Sequence, residues 1–116
     1  MTAYDDSNVF AKILRGEIPA HVVHEDEATL AFMDVMPAVD GHVLIIPKLH
    51  LASMADVTDE HAPLLGRMAA LGPKLMKQLG VTNGFRHVIN TGPDGGQEVH
   101  HLHIHVMGGP RPWLKG

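Results

Sequence analysis

The chain of 116 residues contains no cysteine. Disulfide bonds and thiolate metal sites are therefore excluded, and this composition suits a reducing compartment. No stretch approaches the roughly 18 consecutive apolar residues that a membrane-spanning helix needs. The first residues, MTAYDDSNVF, have neither the basic start nor the apolar centre of a secretory signal. We therefore expect a cytoplasmic protein with no membrane partner.

Basic residues are also few. Nine Lys and Arg stand against thirteen Asp and Glu, which gives a formal net charge of −4, and they form no cluster. Binding to a nucleic-acid polymer requires a basic surface, so such a partner is not expected. A small phosphate-bearing ligand needs only a few local donors and remains compatible with this charge. The length suits one domain, and 45% hydrophobic residues allow an ordinary core.

The predicted elements follow the order helix, three strands, helix, two strands. The first helix lies in SNVFAKILRG, with Ser7 or Asn8 as its cap and Gly16 at its end. HVVHED and ATLAFMDV are expected to form a hairpin, and GHVLIIPK a buried strand. Because the joins are mostly of hairpin length, we predict an α+β domain with a mainly antiparallel, five-stranded sheet.

The stretch VTDEHAPLLGRMAALGPKLMKQLG predicts one long helix. Thr58 is its candidate N-cap and Gly80 its natural end. Its predicted apolar stripe consists of Leu65, Met68, Gly72, Leu75 and Leu79. Pro73 conflicts with this prediction, because proline lacks a backbone N–H and should kink or split the helix.

The stretch QEVHHLHIHVMGG has histidine at every second position, His101, His103 and His105. Alternate residues of a strand point to opposite faces. The intervening apolar residues therefore predict a strand with its core on one side and the three histidines together on the other.

Three interpretations of this histidine row are open. In a metal site, the outer two side chains would lie roughly 13 Å apart along a strand, whereas a Zn–N bond is about 2 Å; two neighbours could share an ion, but three could not readily do so. A solvated polar face is the second interpretation. The third is catalytic, because one neutral imidazole can attack an electrophile while a neighbour stabilises charge or protonates a leaving group.

The loop TGPDGGQ, directly before the row, bears on the electrophile. Gly92, Gly95 and Gly96 allow tight turns and bare N–H groups, which can cradle phosphate oxygens. A simple hairpin turn explains the same glycines equally well. Next to the histidine row, the loop favours attack on phosphorus.

GGQEVHHLHIHVMGG resembles the signature of the histidine-triad (HIT) family, and Gly108 with Gly109 resembles its Hint branch. NVFAKILRGEIPAHVVHEDEATLAFMDVMPAVDGHVLIIPKLH and GFRHVINTGPDGGQEV extend the similarity over residues 8–109. The resemblance implies a single HIT domain over residues 1–116, with residues 110–116 as a C-terminal tail. It also implies a homodimer in which the long helix and the penultimate strand join two sheets into one of ten strands, with Trp113 in the tail near the partner's site.

The resemblance implies a purine nucleoside phosphoramidate hydrolase without a cofactor or metal, which binds AMP or GMP. His103 matches the nucleophile that becomes nucleotidylated, His101 and His105 its flanking partners, and His42 a fourth histidine of the same site. Asp34 matches a ligand of the ribose hydroxyls and Asn90 a residue near the phosphate. The further nucleotide-binding counterparts, in the purine pocket and the phosphate loop, are Phe10, Ile13, Ile18, Phe32, Val35, Leu44, Gly96, Gln97, Glu98 and Val99.

The chain departs from the family pattern at two places. Glu98 replaces a serine that contacts the leaving group in some members, which suits a cationic amine instead. The Cys-x-x-Cys zinc motif of other members is absent from NVFAKI. Two alternatives remain: a dinucleoside polyphosphate hydrolase, which Gly108 and Gly109 disfavour, and a nucleotide-binding regulatory protein. A nucleotidyltransferase is disfavoured, since the transferases carry glutamine at the position of His105.

Overall fold

The computed structural model describes residues 3–34 and 41–109. Val35 and Trp113, which the sequence analysis singled out, lie outside these ranges. Within them, the helices are α1 Val9–Leu14 and α2 Ala62–Gln78, and the strands are β1 Val22–Glu25, β2 Thr29–Met33, β3 His42–Pro47, β4 Phe85–Val88 and β5 Ile104–Gly108. Short 3-10 turns at Met54–Asp56 and Asp59–His61 precede α2. None of the helices described is long and apolar enough to cross a membrane.

The five strands form one antiparallel sheet in the order β1-β2-β3-β5-β4. The connection through α2 carries the chain to the far edge, so that β5 returns between β3 and β4. In the β3–β5 register, His42 is opposite Met107 and Leu44 is opposite His105. The predicted α+β class and five-stranded sheet are confirmed, although β5 is shorter than the predicted last strand.

The two faces of the sheet are buried by different elements. One face packs under α2, through Ala31, Val43, Ile45, Met68, Leu71, Leu75, Met76, Ile104 and Val106. The other packs under α1, through Phe10, Leu30, Phe32, Leu44 and Ile46. Because β3 is covered on both faces, all six of its residues are buried, which explains its unbroken apolar run.

Helix α1 begins as predicted. Asn8 is its N-cap, and the Asn8 Oδ1 atom accepts a hydrogen bond from the Ala11 N–H at 2.9 Å. Gly16 follows the helix with φ of 76°, a left-handed conformation that glycine adopts without strain. A helix of six residues is marginal on its own, so the burial of Phe10 and Ala11 holds it against the sheet.

Helix α2 is continuous through Pro73, so the expected split does not occur. Proline removes the N–H that would bond to the Ala69 carbonyl four residues earlier. The Nε2–H group of His87 on β4 donates to that carbonyl instead, at 3.1 Å. Gly72 makes room for this ring, because a Cβ atom there would lie 2.3 Å from His87 Nε2.

The predicted ends of this helix are close to the observed ones, but its buried stripe differs. Thr58 caps the 3-10 turn that leads into α2, in a reciprocal capping box with His61. Of the predicted stripe, Leu65 is half-buried and Leu79 is 40% exposed, so their inclusion was wrong. The buried residues are Met68, Leu71, Gly72, Leu75 and Met76, since the packed face turns toward β3 and β5.

Candidate active site

The sequence predicted that the three histidines share one face of a strand, and the structure differs from this prediction. Strand β5 begins only at Ile104, so His101 and His103 precede it. They are 0% and 6% exposed. The Leu102 N–H donates to the Leu51 carbonyl at 2.8 Å. This bond holds residues 101–103 against the rest of the protein before the strand pairing of β5 begins. The predicted burial of Leu102, Ile104 and Val106 is confirmed.

His101 is held by both ring nitrogens. Its Nε2–H group donates to the Pro47 carbonyl at 2.8 Å, and its Nδ1 atom lies 2.5 Å from the Tyr4 hydroxyl. Burial lowers the pKa of His101 to about 4, because a charged imidazole loses its hydration there. His101 is therefore neutral at neutral pH and has no nitrogen left for a ligand.

His103 presents one nitrogen to the interior of the site. Its Nδ1–H group donates to the His101 carbonyl at 2.6 Å, which leaves Nε2 with the lone pair of the neutral ring. Burial lowers the pKa of His103 below its usual value. The Phe10 ring packs edge-on against the imidazole, with centroids 4.9 Å apart. A neutral imidazole fixed in this tautomer is the form that attacks an electrophile.

Asp34, His42 and His105 form a cluster beside His103. His42 Nε2 lies 2.9 Å from His105 Nδ1 and 3.5 Å from an Asp34 carboxylate oxygen, and the His103 and His105 rings are 4.9 Å apart. Such a hydrogen-bonded series can pass a proton toward or away from a leaving group. One ligand atom from each of the three lies within 4.8 Å of the others, so these residues, rather than the triad, have the spacing that a metal ion would need.

A cavity of about 310 Å³ opens in front of His103 and His105, a volume suited to a small organic ligand. Its apolar walls are Val9, Phe10, Ile13, Ile18, Pro19, Ala20, Phe32, Met33, Leu44 and Val99. Its polar end consists of Asp34, Asn90, Gly96, Glu98, His103 and His105. An apolar body and a polar, histidine-lined end match a ligand that has a flat ring system and a phosphate.

The loop of residues 91–97 forms one side of the polar end. Gln97 is buried and fastens the loop: its Nε2 atom donates to the Ala52 and Val99 carbonyls, and its Oε1 atom accepts from the Gly92 N–H at 3.0 Å. Gly92 and Gly96 have φ of 68° and 75°, which only glycine adopts readily. The tight turns predicted for these glycines are present, and they bring Gly96 and Glu98 to the cavity.

Most of the predicted site residues meet at this cavity. His42 and His101 lie behind its wall, and the Gln97 side chain serves the loop instead of lining the cavity. Sequence reasoning missed Val9, Pro19, Ala20 and Met33, although Val9 has helical spacing with Ile13. It also missed Tyr4, whose contact with His101 spans 97 positions and has no signal in the sequence.

Comparison with known proteins identifies the family. The model of the HIT domain matches residues 15–111. This chain belongs to the HIT domain family. Protein HitA of Neisseria gonorrhoeae is 50% identical to this HIT protein, over 90% of this chain and 98% of its own length. The purine nucleoside phosphoramidase of Escherichia coli is 41% identical, over 90% of this chain and 88% of its own.

A solved structure supports the same conclusion for the fold. The HIT family hydrolase of Legionella pneumophila superposes with a TM-score of 0.85 at 44% identity, covering 92% of this chain and 96% of its own. The five-stranded sheet and single long helix of this chain match that fold and agree with the HIT family hydrolase that the family resemblance implied.

Proposed function

We propose that this protein hydrolyses the P–N bond of purine nucleoside phosphoramidates, through a covalent nucleotidyl intermediate on His103. The observation that carries the proposal is the geometry of His103, whose Nδ1–H donates to the His101 carbonyl. Its Nε2 atom makes no hydrogen bond within the described part of the chain, and His103 lines the cavity. The identity to the Escherichia coli phosphoramidase supports the choice of substrate class.

The cavity offers a place for each part of such a substrate. A purine fits between the apolar walls, where Phe10, Phe32 and Leu44 are buried. The Asp34 carboxylate at the polar end can accept hydrogen bonds from the ribose hydroxyls. Asn90 and the backbone N–H groups of the loop that ends at Glu98 and Val99 can donate to the phosphate oxygens. AMP, or GMP, would be the product.

The proposed reaction has two displacements at phosphorus. In the first, His103 Nε2 forms a bond to phosphorus while the P–N bond to the amine breaks, and the leaving amine takes up a proton. In the second, water attacks phosphorus, the bond to Nε2 breaks, and the nucleoside monophosphate departs. His105, in contact with His42, would supply the first proton and then receive the proton of the water.

This mechanism needs no metal ion, because imidazoles and backbone amides face the phosphate. As parts of the same proposal, we place the activity in the cytoplasm and expect a homodimer. A dinucleoside polyphosphate hydrolase would use the same nucleophile on a P–O–P bond and is the competing activity to measure.

The experiment follows AMP release from adenosine 5′-phosphoramidate, with and without a chelator, for the parent and His103→Ala. His21→Ala is the matched control, since His21 is an exposed histidine that does not line the cavity. We expect chelator-resistant turnover in the parent and the control, and at least a thousandfold loss in His103→Ala, of the order seen when a nucleophile is removed. Faster hydrolysis of diadenosine polyphosphate would replace the phosphoramidase assignment. Binding of AMP without turnover of either substrate would contradict the enzymatic function.

A further inference from the structure

Tyr4, the only tyrosine of the chain, lies behind the histidine triad. Its hydroxyl oxygen is 2.5 Å from His101 Nδ1. The Asn8 Nδ2–H group donates to the same oxygen at 3.0 Å. The Tyr4 ring stacks on His50, with centroids 4.4 Å apart and planes 12° from parallel. The hydroxyl and the ring are thus both fixed by neighbouring side chains.

The direction of these hydrogen bonds follows from the acceptor on the other side of His101. The Pro47 carbonyl, 2.8 Å from His101 Nε2, can only accept, so Nε2 carries the proton. The ring is neutral because it is buried, and Nδ1 therefore holds a lone pair. The Tyr4 hydroxyl donates to that lone pair, and the two bonds together select one tautomer and one orientation of His101.

The orientation of His101 matters because its carbonyl binds the nucleophile. The His103 Nδ1–H group donates to that carbonyl at 2.6 Å. Residues 101–103 precede β5, so the sheet ladder does not hold their backbone. In the part of the chain that the structure describes, the Leu102 N–H bond to Leu51 and the side chain of His101 anchor it instead.

A second route connects the same N-terminal segment with His103. Asn8, which donates to Tyr4, is also the N-cap of α1. This helix presents Phe10, whose ring packs edge-on against His103 at 4.9 Å. The placement of Tyr4 and the placement of Phe10 therefore depend on one residue.

We propose that Tyr4 is a positioning residue for the nucleophile. Its hydroxyl, held by Asn8, fixes the His101 ring, and the His101 carbonyl then keeps the proton of His103 on Nδ1 and the lone pair on Nε2 facing the cavity. The role in turnover rests on the function proposed for His103, whereas the role in fixing the tautomer does not.

The test is Tyr4→Phe, which removes the hydroxyl and keeps the ring on His50. We expect kcat to fall about tenfold, as for the loss of one buried hydrogen bond, with KM changed less than about twofold. The nitrogen chemical shifts of His103 should change from a single Nδ1–H tautomer to a mixture. Thr29→Val is the matched control, since it removes a buried hydroxyl that donates to Asp26 at 2.7 Å, outside the site.

Other outcomes decide between the proposals. An unchanged kcat with an unchanged tautomer overturns the role of Tyr4, as does an equal loss in Thr29→Val or a change confined to KM. If the parent turns over no substrate, the proposed function is contradicted. A shifted His103 tautomer in Tyr4→Phe would then still support the positioning role. Asn8→Ser is a second variant, which keeps an N-cap and removes the donor to Tyr4; it should give a smaller loss of kcat in the same direction.

Discussion

Two carboxylates, Asp34 and Glu98, border the cavity, and no lysine or arginine does among the described residues. Asp34 contacts His42, whereas Glu98 is exposed. An ionised carboxylate accepts hydrogen bonds and attracts cations. The polar end of the cavity therefore contains acidic side chains as well as histidines and an asparagine.

Glu98 should favour amines that carry a second, positive charge. We predict that Glu98→Gln lowers kcat/KM about fivefold for a phosphoramidate of a diamine, the size of one exposed ion pair. The phosphoramidate of a neutral alkylamine of equal length is the control and should change less than about twofold. An equal loss for both leaving groups would show that Glu98 serves the fold or the phosphate instead.

His101 should make stability depend on pH. The pKa of His101 is about 4 in the folded protein, against roughly 6.5 in an unfolded chain. Below pH 6.5 the unfolded chain therefore binds a proton that the folded one excludes. The free energy of unfolding should fall from pH 6.5 to 4 by up to about 3 kcal/mol from this residue, and no further below that.

Urea unfolding of the parent and His101→Asn across this pH range measures that contribution. The variant is expected to be less stable at pH 7, but its stability should fall less steeply between pH 6.5 and 4. Parallel pH curves for the two proteins would contradict the burial of a neutral His101.

For individual residues, the sequence predicted which side chains come together but not the partner and orientation of each one. The spacing of His101, His103 and His105 indicated chemistry, and the family resemblance added His42 and Asp34. His42 meets His105 because of the β3–β5 register, and the His101 ring is held by Pro47 and Tyr4; a single sequence determines neither. Tyr4 and Gln97 act through contacts with residues 97 and 45 positions away, and a single sequence does not determine these contacts either.

Among the elements, α2 and β4 share a contact that can be tested. His87 donates to the carbonyl that Pro73 leaves without its helical partner, and the three nearest atoms to a Cβ at Gly72 all belong to His87. We predict that His87→Ala lowers the free energy of unfolding by about 1 kcal/mol. Gly72→Ala should destabilise the parent, because it displaces the His87 ring.

The two substitutions should interact when combined. Without the His87 ring, Gly72→Ala should become stabilising, since alanine is favoured over glycine in a helix by about 1 kcal/mol. A double-mutant cycle by urea unfolding measures this reversal of sign. Additive effects would show that the ring and the glycine do not compete for the same space.

Elements with a local signal were predictable from sequence, and those set by distant partners were not. Strand β3 follows from a short branched apolar run, and α1 from an N-cap and a glycine end. The first half of the expected last strand is irregular because the side chain of His101 bonds to Pro47 and Tyr4. The continuity of α2 needed a donor from β4, which the sequence of the helix does not contain.

In the molecule as a whole, several large apolar side chains are exposed at one edge of the sheet. Edge strand β4 and its neighbourhood carry Phe85, Leu79 and Ile89, which are 41%, 40% and 37% exposed. An exposed edge with apolar side chains favours pairing with a second chain. This is consistent with the homodimer that the family resemblance implies.

We predict that the parent is a dimer and that Phe85→Glu makes it a monomer, because it would place a charge in the expected interface. Val22→Glu is the control on the opposite edge strand, where Val22 is 45% exposed, and should remain a dimer. Light scattering coupled to size-exclusion chromatography reports the mass. A dimer that Val22→Glu breaks and Phe85→Glu leaves intact would assign the interface to β1.

The stereochemical course at phosphorus distinguishes a covalent bond between phosphorus and His103 from direct attack by water. An adenosine 5′-phosphoramidothioate of one configuration, hydrolysed in ¹⁸O-labelled water, reports the course without requiring the intermediate to accumulate. Two in-line displacements predict retention of configuration, with turnover lost in His103→Ala. Inversion would mean that water attacks in a single step, and it would contradict the nucleophilic role of His103.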